Sequence, residues 1–304
     1  MLAATKGTRA AVEARHHSGV VIGVAIFYIL LWSSAFIATK VGVSHSPPLT
    51  LLAARFLVAA ALLAALARGR GLPWPRERSE WLTLVWFGLL NSGLYLGLSY
   101  EAIRHLSAGM ATIIAATNPL LLTLLAPRLL GERLGVPRLI GLALGFSGVL
   151  FVVGARLSGA KGADTAEGMI IAFTGVVCLV AATVLYKRRP PRQHPLIVNT
   201  VQLGSAGLAL ILPAAVFEHP SSIRLDAPLA WSFLYLVLAV SIGASFLWFW
   251  LLERGEASVA SSYYFLTPIF GLGLAALLLG EPIGPRDALG LLAVAGGIAL
   301  ISRK

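Results

Sequence analysis

Polar and apolar positions along this chain fall into long blocks. Runs of about 20 mostly apolar residues are separated by short segments rich in Arg, Lys, Pro and Gly. A helix needs about 20 such residues to cross the hydrocarbon core of a bilayer. Ten windows have that length: 20–39, 49–67, 81–100, 106–126, 136–154, 168–186, 196–217, 230–251, 257–279 and 287–302. The pattern predicts an all-α integral membrane protein with ten transmembrane helices. The first run starts near Gly19 and continues past Ala38, longer than the roughly 7–15-residue apolar core of a signal peptide. It reads as an uncleaved span behind a basic tail, residues 1–18, expected to be disordered.

Basic residues give the orientation, because Lys and Arg accumulate in cytoplasmic loops. With the N-terminus inside, the tails and alternate loops hold Lys6, Arg9, Arg15, Arg68, Arg70, Arg76, Arg78, Arg128, Arg133, Arg138, Lys187, Arg188, Arg189, Arg192, Arg254, Arg303 and Lys304, which is 17 of the 24. The opposite side holds six, from Lys40 to Arg286, and Arg55 lies within a span. Both termini are therefore expected in the cytoplasm.

The chain also repeats. A shift of 149 residues lays Leu129-Leu130-Gly131-Glu132 on Leu278-Leu279-Gly280-Glu281, Pro119 on Pro268 and Gly148 on Gly297. A shift of 147 lays Lys40 on Lys187 and Pro48-Leu49 on Pro195-Leu196. Shared Leu and Ala would match by chance; ordered Pro, Gly and Glu matches would not. Five spans per copy is an odd number, so the second copy is expected upside down, giving two inverted five-helix repeats. That plan recurs in secondary transporters. The divisions are a tail at 1–18, a first unit at 19–155, a connecting loop at 156–167 and a second unit at 168–304.

Trp32-Ser-Ser-Ala-Phe36 running to Lys40, Arg55-Phe56, the run from Ser107 to Pro119, and Leu130-Gly-Glu132 with its copy Leu279-Gly-Glu281 resemble the drug/metabolite transporter superfamily. The similarity is to bacterial members with two tandem EamA units, and within them to the aromatic amino-acid exporters. It spans about residues 20 to 302. The resemblance implies metabolite or amino-acid export across the bacterial plasma membrane. Leu179 and Gln202 stand where the first copy has Trp32 and Arg55, which implies that the first unit carries more of the recognition.

Composition fits a lipid solvent: 58% hydrophobic, 12% charged, mean hydropathy +0.84, where a soluble chain carries about 25% charged residues. The net charge of +11 is confined to loops and tails, so no nucleic-acid partner is expected. One cysteine, Cys178, supports neither a disulfide framework nor a thiolate metal site. No cofactor and no metal are expected.

Polar side chains within spans are costly and tend to face a cavity or a bundle interior. Asn91, Ser92, Tyr95 and Ser99 form one stripe; Ser241, Ser245 and Trp248 form its counterpart. They either line a cavity or hold helices together. Trp32, Tyr186 and Tyr263 join Asn91, Tyr95, Ser245 and Trp248 as substrate-binding candidates. Thr112, Thr117 and Asn118 precede Pro119; Ser261 to Thr267 precede Pro268. A proline in a helix frees a carbonyl one turn earlier and bends the axis, so the two prolines are hinges or static kinks. Arg55 either gates and binds a carboxylate, through its planar fork, or pairs with Glu101. Glycines at 141, 145 and 148 and at 290, 296 and 297 let the fifth and tenth spans pack closely as supports, with the chain a monomer or weak homodimer.

The absences narrow the mechanism. All 13 Asp and Glu and all six His fall in loops, tails or span ends, so no intramembrane proton relay is visible. Transport without proton coupling is the expectation. A phosphorylated-sugar or nucleotide-sugar carrier is the alternative, and calls for more cavity cations than Arg55 alone. A channel calls for charged rings or a carbonyl filter, and neither is present in the sequence.

Overall fold

A computed structural model of the chain describes residues 2–131, 135–158, 164–253 and 267–302, and no strand occurs among them. The helices are α1 (Leu2–Val43), α2 (Pro48–Gly69), α3 (Arg78–Ala102), α4 (Ala108–Leu130), α5 (Val136–Ser158), α6 (Ala166–Arg188), α7 (Pro195–Phe217), α8 (Ala227–Leu234, Tyr235–Ala244 and Ser245–Glu253 in succession), α9 (Thr267–Leu279) and α10 (Pro285–Ser302). The first eight each contain a stretch long and apolar enough to cross a membrane; α9 contributes the shorter apolar Ile269–Leu279. Residues 257–266 of the expected ninth window, Tyr263 among them, lie outside the described residues, as does Glu132.

Local chemistry sets the helix ends. Pro48, Pro195 and Pro285 open α2, α7 and α10, at positions where the missing N–H has no partner to lose. Ser107, Thr165 and Asp226 accept hydrogen bonds from Met110, Gly168 and Leu229 N–H, satisfying donors that a helix start leaves open. Gly131 and Gly280 follow α4 and α9 with φ of +70° and +66°, the left-handed turn that suits glycine. This explains the glycine of the repeated Leu-Gly-Glu. Pro119 has no N–H for the Ala115 carbonyl, and α4 breaks at Ala116 into Ala108–Ala115 and Thr117–Leu130.

The main packing pairs that join residues 1–158 to residues 164–302 are α5 on α10, α2 on α7, α4 on α9, α3 on α6 with α8 on α1, α3 on α7 with α8 on α2, and α4 on α6 with α9 on α1. Exchanging α1–α5 for α6–α10 returns the same set. In lipid, helices associate by close packing more than by hydrophobic exclusion, and small residues permit it. The α5–α10 pair depends on this: a Cβ at Gly148 would lie 2.7 Å from the Gly290 carbonyl, and one at Gly297 would lie 2.6 Å from Gly145 N. The glycine faces expected on these two spans are turned toward each other. Leu212, Phe217, Trp231 and Leu277 remain largely exposed, as lipid-facing side chains do.

One end of the bundle gathers the close of α1, α3, α7 and α9 with the start of α2, α4, α6 and α8. Lys40 Nζ donates to the Ile103 and Leu106 carbonyls. The Asp164 carboxylate accepts from Ser107 N at 2.6 Å, and Glu281 accepts from Ala108 N at 2.7 Å and Gly109 N at 3.0 Å. Glu218 accepts from Leu49 N and Thr50 N, both at 2.7 Å. Carboxylates at helix starts meet the positive end of the helix dipole. At the opposite end Arg188 donates to the Leu129 carbonyl.

Candidate functional site

A cavity of about 410 Å³, counting its part open to solvent, is bounded by Trp32, Ala35, Phe36 and Thr39 of α1, Arg55 of α2, Tyr95, Leu96, Ser99, Tyr100 and Ile103 of α3, and Val240 of α8. Helical spacing produces the wall: residues 32, 35, 36 and 39 share one face of α1, and 95, 96, 99, 100 and 103 share one face of α3. The surface is aromatic and aliphatic, with hydroxyls from Thr39, Ser99 and Tyr100 and one cation. Among the described residues, only Val240 comes from the second unit.

Arg55 is the electrostatic centre. It is 4% exposed. Its Nε donates to Ser241 Oγ at 2.9 Å and its Nη1 to the Tyr100 hydroxyl at 2.6 Å. The guanidinium carbon lies 5.5 Å from the Phe56 ring centre and 6.0 Å from that of Tyr100, within cation–π range. No carboxylate among the described residues is within ion-pair distance. Glu101, the partner that sequence reasoning offered, is taken by Arg104 at 3.0 Å. A buried guanidinium held only by neutral hydroxyls and rings keeps unused N–H donors, and an ionised group buried without a countercharge is costly.

Both helices that flank Arg55 and its counterpart are irregular at the same place. α3 is π-helical at Leu89–Leu94 and α8 at Tyr235–Ala244, a distortion common at functional sites. Each π stretch carries the serine that takes the hydrogen bond from α2 or α7: Arg55 to Ser241, and Gln202 Nε2 to Ser92 Oγ at 2.7 Å.

The structure brings Trp32, Tyr95 and Arg55 together on the cavity wall. Asn91 and Ser245 are not on that wall; Ser245 Oγ donates to the Ser241 carbonyl one turn back. Tyr186 packs against Phe87, ring centres 5.2 Å apart, away from the cavity. Trp248 lies in α8, and Pro268 follows the first residue of α9; Tyr263 is outside the described residues. Sequence reasoning missed Tyr100 and left Ser241 as one of several stripe residues. The available signal was physical: a cation in a span must find donors' partners on neighbouring helices.

The helices, their packing and the cavity beside Arg55 define a multi-pass helical membrane protein. The EamA-like transporter model matches residues 19–154 and 166–303, and the chain belongs to that family. It is 29% identical over 278 residues to "Uncharacterized transporter YvbV" of Bacillus subtilis, covering 91% of this chain and 90% of that one. It is 26% identical to a "Probable amino-acid metabolite efflux pump" of Salmonella typhimurium, covering 90% and 92%. A similar value, 27%, relates it to "Uncharacterized inner membrane transporter YedA" of Escherichia coli K12, over 90% of this chain and 87% of that one. A solved crystal structure at 23% identity shares the fold with a TM-score of 0.67, covering 93% of this chain and 96% of the other.

Proposed function

We propose that the chain is a secondary transporter that exports amino acids, aromatic or otherwise apolar, and related small metabolites from bacterial cells by alternating access, without proton coupling. Arg55 carries the reading: a buried cation with spare donors, no carboxylate partner among the described residues, and an aromatic wall beside it. A substrate carboxylate would take two parallel N–H bonds from the guanidinium, while Trp32, Phe36, Tyr95 and Tyr100 would cover an apolar side chain. The relative named as an amino-acid metabolite efflux pump points to the same substrate class. A phosphorylated cargo would call for several cations, and Arg55 is the one on this wall among the described residues.

In this reading the two units are inverted copies with both termini in the cytoplasm. The exchange of pairings between units supports it, as does the meeting of the α1 end and the α6 start at the α3–α4 link. Pro119 and Pro268 would serve as the hinges through which α4 and α9 reopen the site to the other side. Uptake of radiolabelled amino acids into proteoliposomes, with and without an imposed pH gradient, tests the whole reading. Saturable uptake of apolar amino acids that ignores the pH gradient is expected. Accumulation driven by that gradient would sink the uncoupled mechanism, and movement of no amino acid would sink the substrate class.

A further inference from the structure

Among the described residues, two buried side-chain oxygens have no hydrogen-bond partner: Asn118 Oδ1 and Thr267 Oγ. They are not a random pair. The 149-residue shift lays Asn118 on Thr267, so each unit has its orphan oxygen at the same position, immediately before its repeated proline. Thr267 is 4% exposed, so neither lipid nor bulk water reaches its hydroxyl freely.

The register of α4 against α9 sets the two positions within about two residues of one level. Gly271 of α9 meets Thr112 of α4, while Leu272 and Glu281 meet Gly109, so the helices run antiparallel. Four residues along each from the Thr112–Gly271 contact bring Thr267 level with the break in α4 at Ala116. Ser33 Oγ of α1 donates to the Thr267 carbonyl at 3.2 Å, and the neighbouring Trp32 faces the cavity.

We propose that Asn118 Oδ1, Thr267 Oγ and the Ala115 carbonyl form a site for a small monovalent cation, either free Na⁺ or the primary ammonium group of a cargo molecule. Ala115 ends the half-helix Ala108–Ala115 and lacks its usual donor because residue 119 is proline. The closing carbonyls of a half-helix carry partial negative charge, and unwound carbonyls of broken helices are where transporters hold coupling cations. Asn118 Oδ1 and the Ala115 carbonyl can only accept, and the Thr267 hydroxyl can turn its hydrogen away to accept as well. Three acceptors match the three N–H donors of an ammonium, and form part of a shell for Na⁺. The site deepens the carrier reading and rests on it, but it is independent of Arg55.

The test is the thermal unfolding midpoint of the purified full chain in nanodiscs, at fixed ionic strength in choline chloride. NaCl, phenethylammonium and 3-phenylpropanoate are titrated separately, since a ligand of the folded state raises the midpoint. Na⁺ or phenethylammonium is expected to raise it saturably in the wild type and in Thr267→Ser. Thr267→Val and Asn118→Ala should lose about tenfold or more in apparent affinity for that cation, with midpoints in choline close to wild type. A Na⁺ response lost in both variants assigns the site to a free ion; a phenethylammonium response without a Na⁺ response assigns it to cargo. No response to either cation, or a response unchanged in both variants, overturns the site. Arg55→Gln should remove only the 3-phenylpropanoate response, so failure of the carboxylate reading is seen separately.

Discussion

In the first unit Arg55 of α2 reaches across to Ser241 of α8; in the second, Gln202 of α7 reaches back to Ser92 of α3. Both serines sit in π-helical stretches at matching places. The scaffold has thus built one crossed hydrogen bond twice and put a charge in only one copy. Around the charged copy, α1, α2 and α3 supply almost the whole cavity wall; around the neutral copy the same positions hold Leu179 and Gln202. A two-fold framework can keep its helix contacts symmetric while its site becomes one-sided. Contacts between units constrain both copies together, whereas a side chain facing the cavity is free to differ.

Making the copies alike in the wrong direction should have the largest effect. Gln202→Arg would put a second cation at a half-buried place beside Ser92 with no countercharge among the described residues, a change costing up to roughly 3–5 kcal/mol. A fall in the thermal midpoint of the purified protein is expected, and an unchanged midpoint would show that the second unit has space for a charge after all. Arg55→Gln makes them alike in the other direction. Gln already bonds a serine at this place in the second unit, so folding should survive. Charge-assisted bonds worth about 1.5–3 kcal/mol would be lost to a carboxylate cargo, slowing its transport roughly 10- to 100-fold in proteoliposomes. Equal rates for a carboxylate cargo would remove Arg55 from recognition.

The serines sharpen the comparison at smaller scale. Ser241→Ala strips a partner from a charged donor and should cost about 1.5–3 kcal/mol; Ser92→Ala strips one from a neutral amide and should cost about 0.5–1.5 kcal/mol. Equal losses in thermal unfolding would mean that the guanidinium finds another acceptor. The smallest effect lies at the helix starts. Asp226 caps α8 through Leu229 N–H, while its counterpart Glu77 begins α3 with no side-chain cap bond. The Leu229 N–H above all, with help from the His45 ring at 2.6 Å, holds the Asp226 carboxyl below the usual carboxylate range against the opposing pull of desolvation. A depressed carboxyl contributes stability above its unfolded pKa, near ~3.9, and loses it as pH falls through the folded value. Asp226→Asn should therefore reduce the loss of stability between neutral and acidic pH, read as the thermal midpoint across that range.

Eight of the ten expected spans were legible because lipid demands long apolar runs, and the repeated motifs because proline and glycine fix backbone geometry used in both places. Gly280 closes α9 as the repeated Leu-Gly-Glu foretells. What Glu281 does was not legible: it caps α4 from 173 and 172 residues away, at Ala108 and Gly109. The same limit hid Tyr100 and the role of Ser241, since both depend on contacts between distant helices. Asn91, Ser245 and Tyr186 looked like cavity residues because helical spacing identifies a face but not which neighbour that face meets. The π stretches shift that face within α3 and α8, and no local sequence pattern announces them.

The glycine-to-backbone contact of α5 with α10 has a consequence for the order of assembly. α10 is made long after α5, so α5 enters the membrane with no partner for its glycine face. Roughly 140 residues must still be translated, which takes on the order of ten seconds. Through that interval α5 must be held by lipid or by insertion machinery, and its glycine face is covered only once α10 has been made. The seam between the two helices is thus a late step of biogenesis, and a chain truncated before α10 leaves α5 permanently unzipped.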